Sequence, residues 1–132
     1  MELKTQCICL QIVFLLISLT PGYATVFYHY TDEAGADAIE KSGYIRQSTN
    51  PRYAHFGKGV YGTGMGPASG KAAIAKNNYQ GGWEANLRRG RVDYAFRFDL
   101  PSYKVNRVSK DRDILLYKGD LILKDNPYKV YA

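Results

Sequence analysis

Arg91-Val92-Asp93-Tyr94-Ala95-Phe96-Arg97-Phe98-Asp99-Leu100-Pro101 carries the strictest period in the chain. Val92, Tyr94, Phe96, Phe98 and Leu100 are apolar or aromatic, and Asp93, Ala95, Arg97 and Asp99 fall between them. Side chains on a strand point alternately to its two faces, so this pattern predicts a strand with one buried face, ended by Pro101. Working outward toward the C-terminus, residues 113–117, 121–123 and 128–131 are short apolar and aromatic runs that predict three more strands. Toward the N-terminus, Val26-Phe27-Tyr28-His29-Tyr30-Thr31 is β-branched and aromatic and predicts another. Thr31 or Asp32 can cap a helix behind it, with Asp32 and Glu33 favoured in the first turn by the helix dipole. Ala34, Ala38 and Ile39 would face the core, and Gly43 would stop the helix. Residues 58–61 form a further strand-like piece. Ser69 can cap a second helix running to about Tyr79, and residues 81–90 are expected to be an irregular connection. Helices early and strands late specify an α+β domain with a mostly antiparallel sheet and two short helices.

The first residues have a different character. Residues 8–19 are apolar apart from Gln11 and Ser18, and Thr20-Pro21-Gly22 breaks the run. Gly22 and Ala24 supply the small residues a signal peptidase reads, so residues 1–24 are expected to be a secretory signal and residues 25–132 the exported domain. A membrane anchor is the alternative, but a span needs roughly 20 apolar residues and this run is shorter. The chain's two cysteines, Cys7 and Cys9, both fall in this segment. The exported domain would then hold together without disulfides, unlike many small secreted domains. With 18 Lys and Arg against 12 Asp and Glu, the net charge of +6 favours an anionic partner or a solvated basic surface.

Two segments carry chemistry. Tyr28-His29-Tyr30-Thr31 places polar aromatics in a strand that leads at once into a helix. Phe56-Gly57-Lys58-Gly59-Val60-Tyr61-Gly62-Thr63 has glycines that allow a backbone to approach a ligand, beside the flat ring of Tyr61. Together and in this order they resemble the diphtheria-toxin and poly(ADP-ribose) polymerase branch of ADP-ribosyltransferases. Within that branch the chain is most similar to a toxin-type family named for a His-Tyr-Asp signature. The resemblance covers most of the exported part.

That resemblance implies a split sheet, NAD as the substrate, and an unknown protein or nucleic-acid acceptor or water; no metal is expected, because two histidines and no cysteine in the exported part form no zinc pattern. It implies that His29 hydrogen-bonds ribose hydroxyls and that Tyr61 stacks on nicotinamide. Tyr30 and Thr31 would frame the amide end, and Gly59 would let the chain pass close. By charge alone, Lys58, Arg52 and Lys71 are candidates for the pyrophosphate, with solvent as the alternative. A third, acidic residue should face the oxocarbenium-like charge that develops when the nicotinamide–ribose bond breaks. Asp113, before its apolar strand, and Asp120, in the following turn, both fit that place. An aspartate where the polymerases carry glutamate favours mono-ADP-ribosylation or NAD hydrolysis over polymer formation. A secreted basic ribonuclease using the two histidines, or a non-enzymatic binding module using tyrosines and Trp83, are the other classes this composition permits. Neither accounts for the Gly-Lys-Gly-Val-Tyr stretch.

Overall fold

β1 (Ala24–Thr31) and β4 (Tyr94–Pro101) run antiparallel over their full lengths, with Ala24 opposite Pro101 and Thr31 opposite Tyr94. The chain is described as a computed structural model over residues 23–132. All but the last two residues of the expected signal, Cys7 and Cys9 included, lie outside the described residues. Tyr23 and Ala24 are built into the sheet. The Tyr23 carbonyl accepts from the Ser102 N–H at 2.8 Å and from its hydroxyl at 2.6 Å.

β8 (Tyr128–Tyr131) adds to the other edge of β4, giving the order β1-β4-β8. A second three-stranded sheet has the order β3 (Val60–Gly62), β6 (Leu115–Tyr117), β5 (Val105–Arg107). β2 (Tyr44–Ile45) pairs with β7 (Leu121–Ile122). Every pairing is antiparallel. With α1 (Glu33–Ser42), α2 (Lys71–Tyr79) and α3 (Trp83–Arg88), this is an α+β fold of small split sheets and short helices.

The sheet separates two cores. Phe27, Phe96, Phe98 and Leu100 are fully buried on one face with Val60, Leu115 and Leu121. Each large side chain buried this way contributes about 1.5–3 kcal/mol. Tyr30 and Ala95 lie on the other face with Ile74, Ala75 and Val92. The expectation of a single buried face for residues 92–100 therefore needs correction. α2 and α3 cover the second face over Ala95, and Val92 precedes the strand and belongs to that second core.

The helices bring further corrections. In α1 the buried residues are Ala36 and Ile39, while Ala34 and Ala38 are exposed. Asp32 is the cap, accepting from the Gly35 N–H at 2.8 Å, and Gly43 closes the helix at φ 82°. Ser69 does not cap α2. It ends a 3₁₀ turn (Pro67–Ser69), and Gly70 takes the cap position. The stretch read as irregular contains α3. Gly82, at φ 78°, lets the chain turn into it, and Trp83 and Leu87, one helical turn apart, reach the second core. The Lys76 ammonium lies 4.8 Å from the Trp83 ring. Among the described residues no helix is long and apolar enough to cross a membrane.

Candidate active site

β1 and β3 belong to different sheets but touch at one point. Tyr28 and Thr63 exchange both backbone hydrogen bonds, at 2.8 and 2.9 Å. In an antiparallel ladder the next such exchange would fall two residues on, between Tyr30 and Tyr61. It is not made. The His29 ring enters the gap instead, and its Nδ1–H donates to the Tyr61 carbonyl at 2.8 Å. Because Tyr28 faces Thr63, strand alternation turns the Tyr30 N–H and C=O to the same side. Among the described residues they find no partner across this seam.

A cleft of about 470 Å³ opens here, lined by His29, Tyr30, Tyr61, Gly62 and Tyr79, with Arg91 and Arg112 on its wall. Its volume is that of an ordinary small-molecule site. Four of its residues have their geometry set by the fold. Burial pushes the His29 imidazole below its usual pKa, outweighing the opposing pull of the Tyr61 carbonyl. The ring is therefore neutral near pH 7, and with the proton on Nδ1 its Nε2 is a bare acceptor. The Tyr61 hydroxyl donates to the Gly57 carbonyl at 2.6 Å and accepts from the Phe56 N–H at 2.9 Å, which fixes its ring. The Tyr30 hydroxyl donates to the Met65 carbonyl at 2.8 Å. Burial raises its pKa, and with its side chain in the second core only its backbone is left to the seam. Burial likewise raises the pKa of Tyr79, at the end of α2.

The remaining residues singled out in the sequence lie outside the lining. Thr31 ends β1 beside α1. Gly59 is buried against β6, where a Cβ would stand 2.6 Å from the Tyr117 carbonyl oxygen and as close to Leu116. Lys58 is exposed. Asp120 is exposed at a turn and accepts from the Gln47 N–H at 2.8 Å. Asp113 accepts from the Gly64 N–H at 3.0 Å and from Arg107 at 3.1 Å. Its chain neighbours Arg112 and Ile114 do line the cleft. The Asn77 amide clamps the Asp113 backbone from both sides, accepting from its N–H at 2.8 Å and donating to its carbonyl at 2.9 Å. Arg112 donates to the Asn77 carbonyl at 2.9 Å. α2 and the lead into β6 are thus fastened together along one wall. Tyr79, Arg91 and Arg112 escaped the sequence reading. An aromatic at a helix end just before Gly81-Gly82 was the available signal for the first, and isolated arginines gave none for the others. No group of three or more His, Cys, Asp or Glu able to hold a metal ion occurs among the described residues.

Because the folded state resists protonating His29, stability should depend on acid. The unfolded chain takes the proton near pH 6.5, the folded chain only at a lower value. The stabilising difference is full above about pH 6.5 and is lost as pH falls through the lowered value. Thermal melts of the wild type and of His29→Gln between about pH 7.5 and 5 should therefore diverge less at the acid end. Parallel curves would show that His29 does not carry this dependence.

A small antiparallel sheet is thus parted from a second one, with a histidine and a tyrosine joined across the parting. The family comes from comparison with known proteins. Residues 27–125 match the family described as HYD1 signature containing ADP-ribosyltransferase, and the chain belongs to this toxin-type family. No curated protein and no solved structure matches it.

Proposed function

We propose that the protein is a secreted enzyme that breaks the nicotinamide–ribose bond of NAD, either transferring a single ADP-ribosyl group or delivering it to water. The unmade Tyr30–Tyr61 pairing carries this proposal. The nicotinamide carboxamide has one donor and one acceptor side, and the Tyr30 N–H and C=O offer the complement on a rigid strand. Tyr61 supplies a fixed ring surface for the pyridinium, and Tyr79 a second aromatic wall. The neutral His29 accepts a ribose hydroxyl at Nε2. Nicotinamide leaves with the bonding electron pair and becomes neutral, so no acid is required. The site's task is to hold the ribose and to oppose the positive charge left on it.

Asp113 is assigned that last task in preference to Asp120, because its backbone, clamped by Asn77, runs along the cleft wall between Arg112 and Ile114; its carboxylate, held by the Gly64 N–H and Arg107, does not itself line the cleft and acts from just behind that wall. Arg91 and Arg112 give the pyrophosphate its cationic surroundings. Gly59, packed tightly on β6 beside Tyr61, acts through the shape of the cleft, and Lys58 and Thr31 are given no direct part.

Incubating the protein with NAD and following free nicotinamide tests this. Release is expected, accompanied by ADP-ribose when no acceptor is present. NAD left intact in the presence and absence of protein and nucleic-acid mixtures would sink the proposal. Export with cleavage near Ala24 accompanies it, and N-terminal sequencing of exported material should begin close to Thr25. Cleavage there would cost β1 one residue and remove the Tyr23 carbonyl from Ser102.

A further inference from the structure

The positive charge of this chain is unevenly placed. Between Lys41 and Trp83 there are six cations, Lys41, Arg46, Arg52, Lys58, Lys71 and Lys76, and no carboxylate. The rest of the chain carries twelve cations and twelve carboxylates; in space Lys41 pairs with Asp37 and Lys71 with Asp93, and Arg46, Arg52, Lys58 and Lys76 make no ion pair among the described residues. The same segment supplies most of the cleft lining, from Ser48 to Gln80, and no Asp or Glu lines the cleft at all. With Arg91 and Arg112 on the cleft wall for the two phosphates of NAD, Arg52 and Lys58 of the loop of residues 50–58 are left without a role.

The loop of residues 50–58 forms the mouth of the cleft. It interleaves Arg52, Tyr53, His55, Phe56 and Lys58, all of them exposed. Tyr53 is 69 % exposed and Phe56 39 %, yet both line the opening. The loop is ordered from within. Asn50 accepts from the Tyr53 and Ala54 N–H groups at 2.9 and 2.8 Å, its side chain accepts from the Arg52 N–H at 2.9 Å, and Ala54 is buried beneath. An ordered backbone presents these exposed rings to a partner without first having to fold. Flat rings spaced between cations are the surface on which unpaired bases stack while phosphates are neutralised.

We infer that the acceptor of the ADP-ribosyl group is a base of a single-stranded nucleic acid, seated on the loop of residues 50–58 at the cleft mouth. This rests on the NAD-cleaving proposal and names its acceptor. In the transfer, the bond between ribose C1′ and the nicotinamide nitrogen breaks, and its electrons go to nicotinamide. A nitrogen of the stacked base forms the new bond to C1′ and loses its proton to water. A duplex hides its bases within the stack and cannot be seated in this way.

The test uses the full chain with NAD labelled in its adenylate half. It is offered single-stranded RNA and DNA of about 12 mixed bases, the corresponding duplexes, and a mixture of soluble proteins. Label is expected on one or both single strands, at least about tenfold above duplex. Tyr53→Ala should lower the ratio of labelled oligonucleotide to nicotinamide released about tenfold, and Tyr53→Trp should restore it. Nicotinamide release with no labelled oligonucleotide, or label on protein alone, would overturn the acceptor and leave NAD cleavage standing. So would an unchanged ratio in Tyr53→Ala. No nicotinamide release under any addition would overturn the NAD-cleaving proposal and the acceptor with it.

Discussion

Asp113→Asn is expected to lower the turnover of nicotinamide release by about 10²–10³-fold, with a small change in KM for NAD. A fixed charge aimed at a developing charge is worth about that much, and Asp113 acts from just behind the cleft wall. The ground-state substrate carries its positive charge on the pyridinium, and only in the transition state does the ribose become cationic. Removing the carboxylate's charge should therefore penalise the transition state more than binding. Asp120→Asn should turn over close to the wild type, since Asp120 sits at an exposed turn bonded to the Gln47 backbone. The Asp113 ion pair with Arg107 is partly exposed, and such pairs contribute about 0–1 kcal/mol, so Asp113→Asn should fold normally. Steady-state kinetics of both variants, with melts alongside, decides the matter. Equal turnover in the two would remove Asp113 from the reaction.

Gly62→Ala is expected to be strongly destabilising. A Cβ at Gly62 would stand inside contact distance of several atoms of the Phe27 ring, which is fully buried and pressed on Phe98 at 6.4 Å between centroids. An aromatic ring in a packed core cannot fold aside as an exposed side chain can. Overpacking of this kind costs about 1–3 kcal/mol, which lowers the Tm of a domain of this size by roughly 5–20 °C. A thermal melt checks it, and a Tm within about 2 °C of the wild type would show that β3 shifts freely away from β1.

The alternation of residues 92–100 made the central strand legible, because period two survives even when its start is misplaced. The Asp32 cap and the Gly43 stop were legible because each acts through local backbone chemistry. The short α3 was not. Six residues flanked by glycines look like a loop, and only the packing of Trp83 and Leu87 on a core formed by distant residues makes them helical. The second core was hidden for the same reason, since Ala95 reads as a polar-face spacer until α2 is laid over it. Within the site, His29 and Tyr61 stood out by motif. Tyr79, Arg91 and Arg112 reach the cleft through tertiary placement alone. The acidic partner stayed divided between Asp113 and Asp120, because spacing along the chain does not say which of two adjoining strand ends meets the cleft wall.

The parting between β1 and β3 also sets a limit on what selection can do with this fold. Two more backbone hydrogen bonds, Tyr30 to Tyr61, lie within reach by simple continuation of the Tyr28–Thr63 pair. Making them would stiffen the molecule at its weakest join. It would also occupy the backbone groups that the proposed chemistry leaves open for the nicotinamide amide, and it would push the histidine ring out of the gap. A lineage of this protein driven toward heat resistance would have to gain its rigidity elsewhere, in the two cores or in the loops, and leave this seam unclosed.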